Sequence, residues 1–240
     1  MGADAALLLL ADSRLPAGGH AHSGGVEEAV RLGAVTGTGD LARYLSGRLA
    51  TAGLVTATLA AAACELAAAG DPADDPADGV ELWRRLDAEA DARTASPAQR
   101  EAARTQGRLL LRTARRMWPS AALDTLARAV PEGPHHPVAL GAAGASAGCT
   151  PRQTALAAAY TSVTGPATAA VRLLGLDPVT VHRLLADLAP ALDDAAHAAC
   201  ASLGDTAGQG RWHALPGHSA PALDLLAEGH LTNPMKLFVS

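Results

Sequence analysis

Aromatic side chains are almost missing from this chain: three Trp, two Tyr and one Phe in 240 residues, 2% of the total. A surface that stacks single-stranded nucleic acid needs interleaved rings, so that function has no support here. Cysteine is nearly as scarce. Cys64, Cys149 and Cys200 lie far apart, form no CxxC pair and are odd in number, which argues against a disulfide framework and fits a reducing compartment. Positive charge is not in excess either, with 19 basic against 24 acidic residues and a net charge of -5, so overall charge gives no reason to expect a nucleic-acid partner. The phosphate-cradling patterns GxxxxGK[ST] and GxGxxG are absent. His22-Ser23-Gly24-Gly25 is not a nucleophile elbow, because no strand pattern precedes it. With no nucleophile set beside an orienting His and carboxylate, the chain is expected not to be an enzyme and to need no cofactor.

Long uncharged apolar runs are also few. The leucines at 7–10 have no Lys or Arg before them and the run ends at Asp12, unlike a signal peptide, so a cytoplasmic location is expected. The stretch 49–66 comes nearest to a membrane span. Its alanines are weakly apolar and Glu65 lies within it, so it reads as a buried core helix, and no membrane association is expected.

What is present is Ala, Leu and Val, which dominate a hydrophobic fraction of 49%. Alanine has the highest helix propensity and the smallest side chain, so the composition predicts an all-α, single-domain bundle of closely packed helices, about ten of them. Periodicity, caps and breakers place them near 4–11, 24–33, 39–69, 79–93, 97–117, 120–129, 136–147, 151–175, 178–203 and 220–228. Pro97, Pro151 and Pro178 each open a helical pattern, where the missing N–H costs least, and Ser96, Thr150 and Asp177 precede them as N-caps. Gly165-Pro166 predicts a kink inside 151–175. The acidic, Pro-bearing segment 70–79 reads as an exposed loop, and the Gly-rich stretch 204–217 sets the last residues apart as a mobile tail.

Two features could carry recognition. In 97–117 a turn of about 100° per residue gathers Arg100, Arg104, Arg108, Arg112, Arg115 and Arg116 within roughly 160°, opposite Ala103, Gly107, Leu110 and Ala114. That face either grips an acidic or phosphate-rich partner or is balanced by the acidic segment 71–91. Among nine histidines, His20 and His22 alone have ligand-like spacing, in a Gly-rich turn. They are weak candidates for a transient metal contact, since imidazole suits nickel and zinc but no Cys or carboxylate cluster completes a site. His135-His136, between Pro134 and Pro137, calls for the same discount.

The string from Asp12 to Glu27, DSRLPAGGHAHSGGVE, resembles the N-terminal signature of the UreF family of urease accessory proteins. Further matching blocks follow in order: Arg104-Thr-Gln-Gly-Arg-Leu-Leu, His136-Pro-Val-Ala-Leu-Gly with Gly144 and Gly148, Ala169-Ala-Val-Arg-Leu-Leu, and Met235-Lys-Leu-Phe-Val-Ser240. His20 stands where the family usually has an aromatic, and Lys236 where it usually has Arg. The resemblance implies an all-α, typically homodimeric scaffold that binds UreD (also called UreH) and recruits the GTPase UreG, so that nickel passes to apo-urease. It directs partner binding to the chain ends, 1–25 and 220–240, and on this sequence to Pro16, Gly18, Gly19, His22, Ser23, Gly25, Glu27, Lys236, Leu237 and Phe238, with Arg104, Gln106 and Arg108 as a third surface. Phe238, the one Phe, is expected to anchor in a partner's pocket, and Lys236 to contact the GTPase. The competing reading is a generic helical adaptor outside the urease system.

Overall fold

The computed structural model describes residues 2–70, 76–204 and 210–239. Residues 71–75, within the segment read from sequence as an acidic loop, and 205–209 of the Gly-rich stretch lie outside these. The α-helices, in chain order, are α1 (Ala3–Ala11), α2 (Val26–Arg31), α3 (Thr38–Arg48), α4 (Leu54–Ala68), α5 (Pro76–Ala92), α6 (Pro97–Met117), α7 (Ala121–Ala129), α8 (His136–Ser146), α9 (Pro151–Leu174), α10 (Pro178–Asp187), α11 (Ala189–Ala201) and α12 (Pro221–Leu231). No strand occurs among the described residues, and the fold is the all-α bundle that the composition predicts.

Helix α4 is the axis of the bundle, with α8, α9 and α11 packed around it. Its Ala57, Ala60, Ala61, Ala62 and Ala63 have no exposed surface. Small side chains let the backbones meet: a Cβ added to Gly141 of α8 would lie 2.4 Å from both the Ala60 carbonyl oxygen and the Ala63 methyl. The unbroken span Thr38–Ala68 is long and apolar enough to cross a bilayer by length and composition, but it is mostly packed inside the bundle. The sequence reading of 49–66 as core holds.

The three Pro junctions are N-caps as predicted. Ser96 Oγ accepts from Gln99 N at 3.1 Å, and Thr150 and Gln153 form a reciprocal capping box at 3.2 and 2.9 Å. The Asp177 carboxylate accepts from Val179 N and Thr180 N at 3.3 and 2.9 Å, and with the Thr180 hydroxyl these donors hold its pKa below the usual carboxylate value. Each such cap is worth about 1 kcal/mol. The predicted single helix 178–203 is instead two, ending at Leu188 and restarting as α11 with Pro190 in its first turn. Proline there has no N–H for the carbonyl four residues back, and its ring crowds that carbonyl, so the helix stops and turns.

Two irregularities meet at one place. Between α3 and α4 the chain widens into a π-helical turn, Leu49–Gly53, which periodicity did not reveal. A Cβ at Gly53 would lie 2.8 Å from Ser162 Oγ, so Gly lets α9 approach this closely without displacing that hydroxyl. In α9, Pro166 leaves the Ser162 carbonyl without its helical donor, yet the helix runs on through it. Arg48, just before the wide turn, supplies the donor from its Nε at 2.8 Å. The same guanidinium donates from Nη1 to the Gly24 carbonyl at 2.9 Å, and Tyr44 Oη adds a second hydrogen bond to that carbonyl at 2.7 Å. A defect in the middle of the chain thereby fixes the position of the N-terminal signature.

Candidate interaction site: the N-terminal turn and the C-terminal tail

The signature folds as a series of tight turns. Gly18, Gly24 and Gly25 have φ of 77°, 61° and 90°, left-handed values that favour Gly. Pro16 is held by Thr113 Oγ1, which donates to its carbonyl at 2.9 Å, and Gly18 rests on Leu109 of the same helix. Gly19 opens the short 3₁₀ turn Gly19–Ala21 that carries His20. Ser23 is fully buried, and its hydroxyl has no hydrogen-bond partner among the described residues.

Glu27, at the start of α2, is 5% exposed. Its carboxylate accepts from Leu237 N at 2.6 Å and Phe238 N at 3.1 Å. Val239 N donates to the Ala21 carbonyl at 2.8 Å. His230, at the end of α12 and 1% exposed, points Nε2 at the Phe238 carbonyl, 3.2 Å away, and its Nδ1 lies 3.7 Å from Glu27 Oε2. Helix α12 approaches closely because Gly229 sits directly over Glu28. The pKa of Glu28 is lowered, chiefly by its hydrogen bond with Arg31.

The ends expected to be poorly tied to the core are thus tied to each other. Phe238, expected to anchor in a partner, lies inside this chain at 6% exposure, with the Arg172 guanidinium 5.1 Å over its ring. Burying the ring here stabilises the folded tail, which is why it is not presented outward. Its neighbours are: Met235, Leu237 and Val239 are 85%, 66% and 59% exposed, and Leu225 and Leu231 of α12 are exposed as well. Lys236 is also exposed and makes no ion pair among the described residues. The stretch before α12 is held too. Arg93 donates to the carbonyls of Trp212, Leu215 and Pro216.

A cleft of about 770 Å³ opens beside this junction, with His20, His22, Gln106, His136, Arg172 and Phe238 among its lining residues. Gln106 is half-buried in its wall, so the structure brings that residue to the N-terminal turn rather than to open solvent. Burial pushes the pKa of His22 down to about 4, with His20 adding to the effect. Burial, then His22, brings His136 down to about 4 as well. Both imidazoles are therefore neutral at neutral pH. Among the described residues, the ligand atoms of His20 and His22 do not converge with those of a third residue to metal-binding distance.

Among the described residues the group whose ligand atoms do converge is Asp87, Asp91 and His135, which sequence reasoning missed. Its positive charge is already in place. Arg104 reaches Asp87 at 3.0 Å and Asp91 at 2.5 Å, and donates to the Gly133 carbonyl at 2.9 Å. Asp87 accepts from His135 N, the first residue before α8, and His135 Nε2 meets Asp91, both at 2.7 Å. Burial raises the Asp87 pKa despite these donors. Burial also pushes Asp91 up, but His135 and Arg104 outweigh it and leave that pKa lowered. Arg104, expected at a partner surface, is instead an internal strut joining α5, α6 and the start of α8. Arg108 remains on the outside, donating to the Glu132 carbonyl at 2.6 Å.

Fold and junction together define an all-α protein whose joined ends present a partly apolar surface. The family model described as UreF matches residues 35–189. The chain is 48% identical to the urease accessory protein UreF of Mycobacterium sp. (strain JLS), over 98% of its own length and 97% of the relative's. It is 46% identical to that of Mycolicibacterium vanbaalenii, over 98% of both, and 42% identical to that of Mycobacterium tuberculosis (strain ATCC 25618 / H37Rv), again over 98% of both. The chain belongs to the UreF family of urease accessory proteins.

Proposed function

We propose that this protein is a non-catalytic scaffold of urease maturation, which binds UreD (UreH) through the joined N-terminal turn and C-terminal tail and recruits the GTPase UreG, so that nickel reaches apo-urease as cargo. One observation carries the reading. Glu27 and Ala21 hold the tail so that Phe238 is inward while Met235, Leu237 and Val239 are outward. Exposed apolar side chains on an ordered segment bury surface on a partner with little ordering cost, which favours affinity. Lys236 stands among them as a free charge for partner selection. Action as a homodimer in the cytoplasm, without membrane or nucleic acid, completes the proposal. His20 and His22 are at most transient contacts for nickel, and no resident cofactor is assigned.

The test is co-purification of this chain with UreD and UreG, with the mass of the complex measured in solution. A chain lacking residues 231–240 should lose UreD and, with it, UreG. Undiminished capture of both by the truncated chain would overturn the assignment of the tail.

A further inference from the structure

The basic face of α6 divides in the folded chain. Arg104 is turned inward, and Arg100 donates to the Thr94 carbonyl. The remaining four arginines, Arg108, Arg112, Arg115 and Arg116, line a groove of about 680 Å³ between α6 and α7, whose lining also includes Pro119, Ala127 and Pro131. Arg115 pairs with Asp124 at 2.7 Å, the one carboxylate in the lining. Arg108 is braced by the Glu132 carbonyl. Arg112 and Arg116 make no hydrogen bond or ion pair among the described residues, and both are exposed.

Like charges four residues apart on a helix repel one another. Arg108, Arg112 and Arg116 form such a row on a chain whose net charge is -5. We propose that this groove is a docking surface for an acidic amphipathic helix of a protein partner. Arginines four apart repeat along α6 at about 6 Å. Glutamates four apart on a second helix repeat at the same distance, so carboxylates can meet guanidinium forks in register. Ala127, Pro119 and Pro131 offer apolar contact between them. Nucleic acid fits less well, because no aromatic side chain lines the groove to stack a base. The surface is distinct from the tail: its lining contains no residue of the N-terminal turn or of the C-terminal segment, and the turn meets α6 at Leu109 and Thr113, beside the arginine row.

Fluorescence anisotropy on the full chain tests this. The probe is a labelled helical peptide of roughly fourteen residues, about four turns, with Glu at every fourth position and Leu beside each. Binding should weaken between about 25 mM and about 200 mM salt. It should fall at least about tenfold in the double variant Arg112→Glu, Arg116→Glu, since like charges then face each other. The neutral pair Arg112→Gln, Arg116→Gln should lie between, and Arg14→Glu and Glu27→Ala should bind as the parent does. Equal binding by the charge-reversed chain, equal binding of a peptide with Gln in place of Glu, or tighter binding of a single-stranded oligonucleotide would each overturn the proposal. Because Glu27→Ala opens the tail and leaves the groove intact, the groove and the tail assignment can fail separately.

Discussion

Replacing Glu27 is the sharpest perturbation the structure offers, because one buried carboxylate holds two consecutive tail amides. Hydrogen bonds to a charged acceptor contribute about 1.5–3 kcal/mol each. Glu27→Gln keeps the shape and one acceptor oxygen while removing the charge, so it should cost the docked tail about 1.5–3 kcal/mol. Glu27→Ala removes both acceptors from Leu237 N and Phe238 N, a loss of about 3–6 kcal/mol if the tail stays in place. Holding the tail against this loss is mainly the burial of Phe238, worth about 1.5–3 kcal/mol. The carboxylate term is the larger or equal one, so the alanine variant should release the tail, whereas the glutamine variant should only loosen it. Release is local: residues before 231 keep their own packing, and the global unfolding midpoint should move little.

Amide hydrogen exchange reads this directly. In the parent, Leu237, Phe238 and Val239 share one opening, because their acceptors are Glu27 and Ala21. Protection at all three should fall together, by about tenfold per 1.4 kcal/mol lost, with Gln intermediate and Ala near the unprotected limit. Protection at Val239 that survives in Glu27→Ala while Leu237 and Phe238 lose theirs would refute the single clasp. So would a global loss of protection in α4, which would make Glu27 a core residue rather than a latch.

Arg104→Ala should destabilise the whole fold by about 3–5 kcal/mol, because it leaves Asp87 buried without its counter-charge; a thermal melt should drop by about 6–20 °C, and a shift under about 2 °C would return Arg104 to the surface role first expected of it. Acid should destabilise the chain through His22 and His136. Their folded pKa of about 4 lies below the ordinary value of 6.5, so the unfolded state binds more protons between those limits. Their contribution is therefore complete above pH 6.5 and lost as pH falls toward 4. With both residues half-buried overall, the loss is on the order of 1–3 kcal/mol per histidine. Urea midpoints at pH 7 and pH 5 measure it, and His136→Gln should flatten the difference.

What sequence could and could not reveal follows from the range of the interaction responsible. Caps, Pro junctions and the span 38–68 are set by neighbours within four residues, so Ser96, Thr150 and Asp177 were legible as boundaries. The break at Leu188 was equally local, yet the reading ran a single helix over 178–203 and passed over Pro190, which stands in the first turn of α11. The rest depends on partners far along the chain. Gln106 and the N-terminal turn meet across a cleft, while Glu27 finds amides 210 and 211 residues away. No local pattern distinguishes Phe238 presented to a partner from Phe238 buried at home.

Charge shows the same division. Six arginines on one face of α6 were visible from helical spacing alone, as were Asp87 and Asp91 on consecutive turns of α5. Spacing gives the direction of a side chain but not what stands opposite it. Where Asp87 and Asp91 stand opposite, Arg104 becomes part of the interior; one and two turns further on, where α7 leaves a groove, Arg108 and Arg112 stay in solvent. A single amphipathic stripe therefore changes role along its length. The change falls where α6 passes from α5 to α7, so the boundary between structural and available charge is set by packing order and not by the stripe.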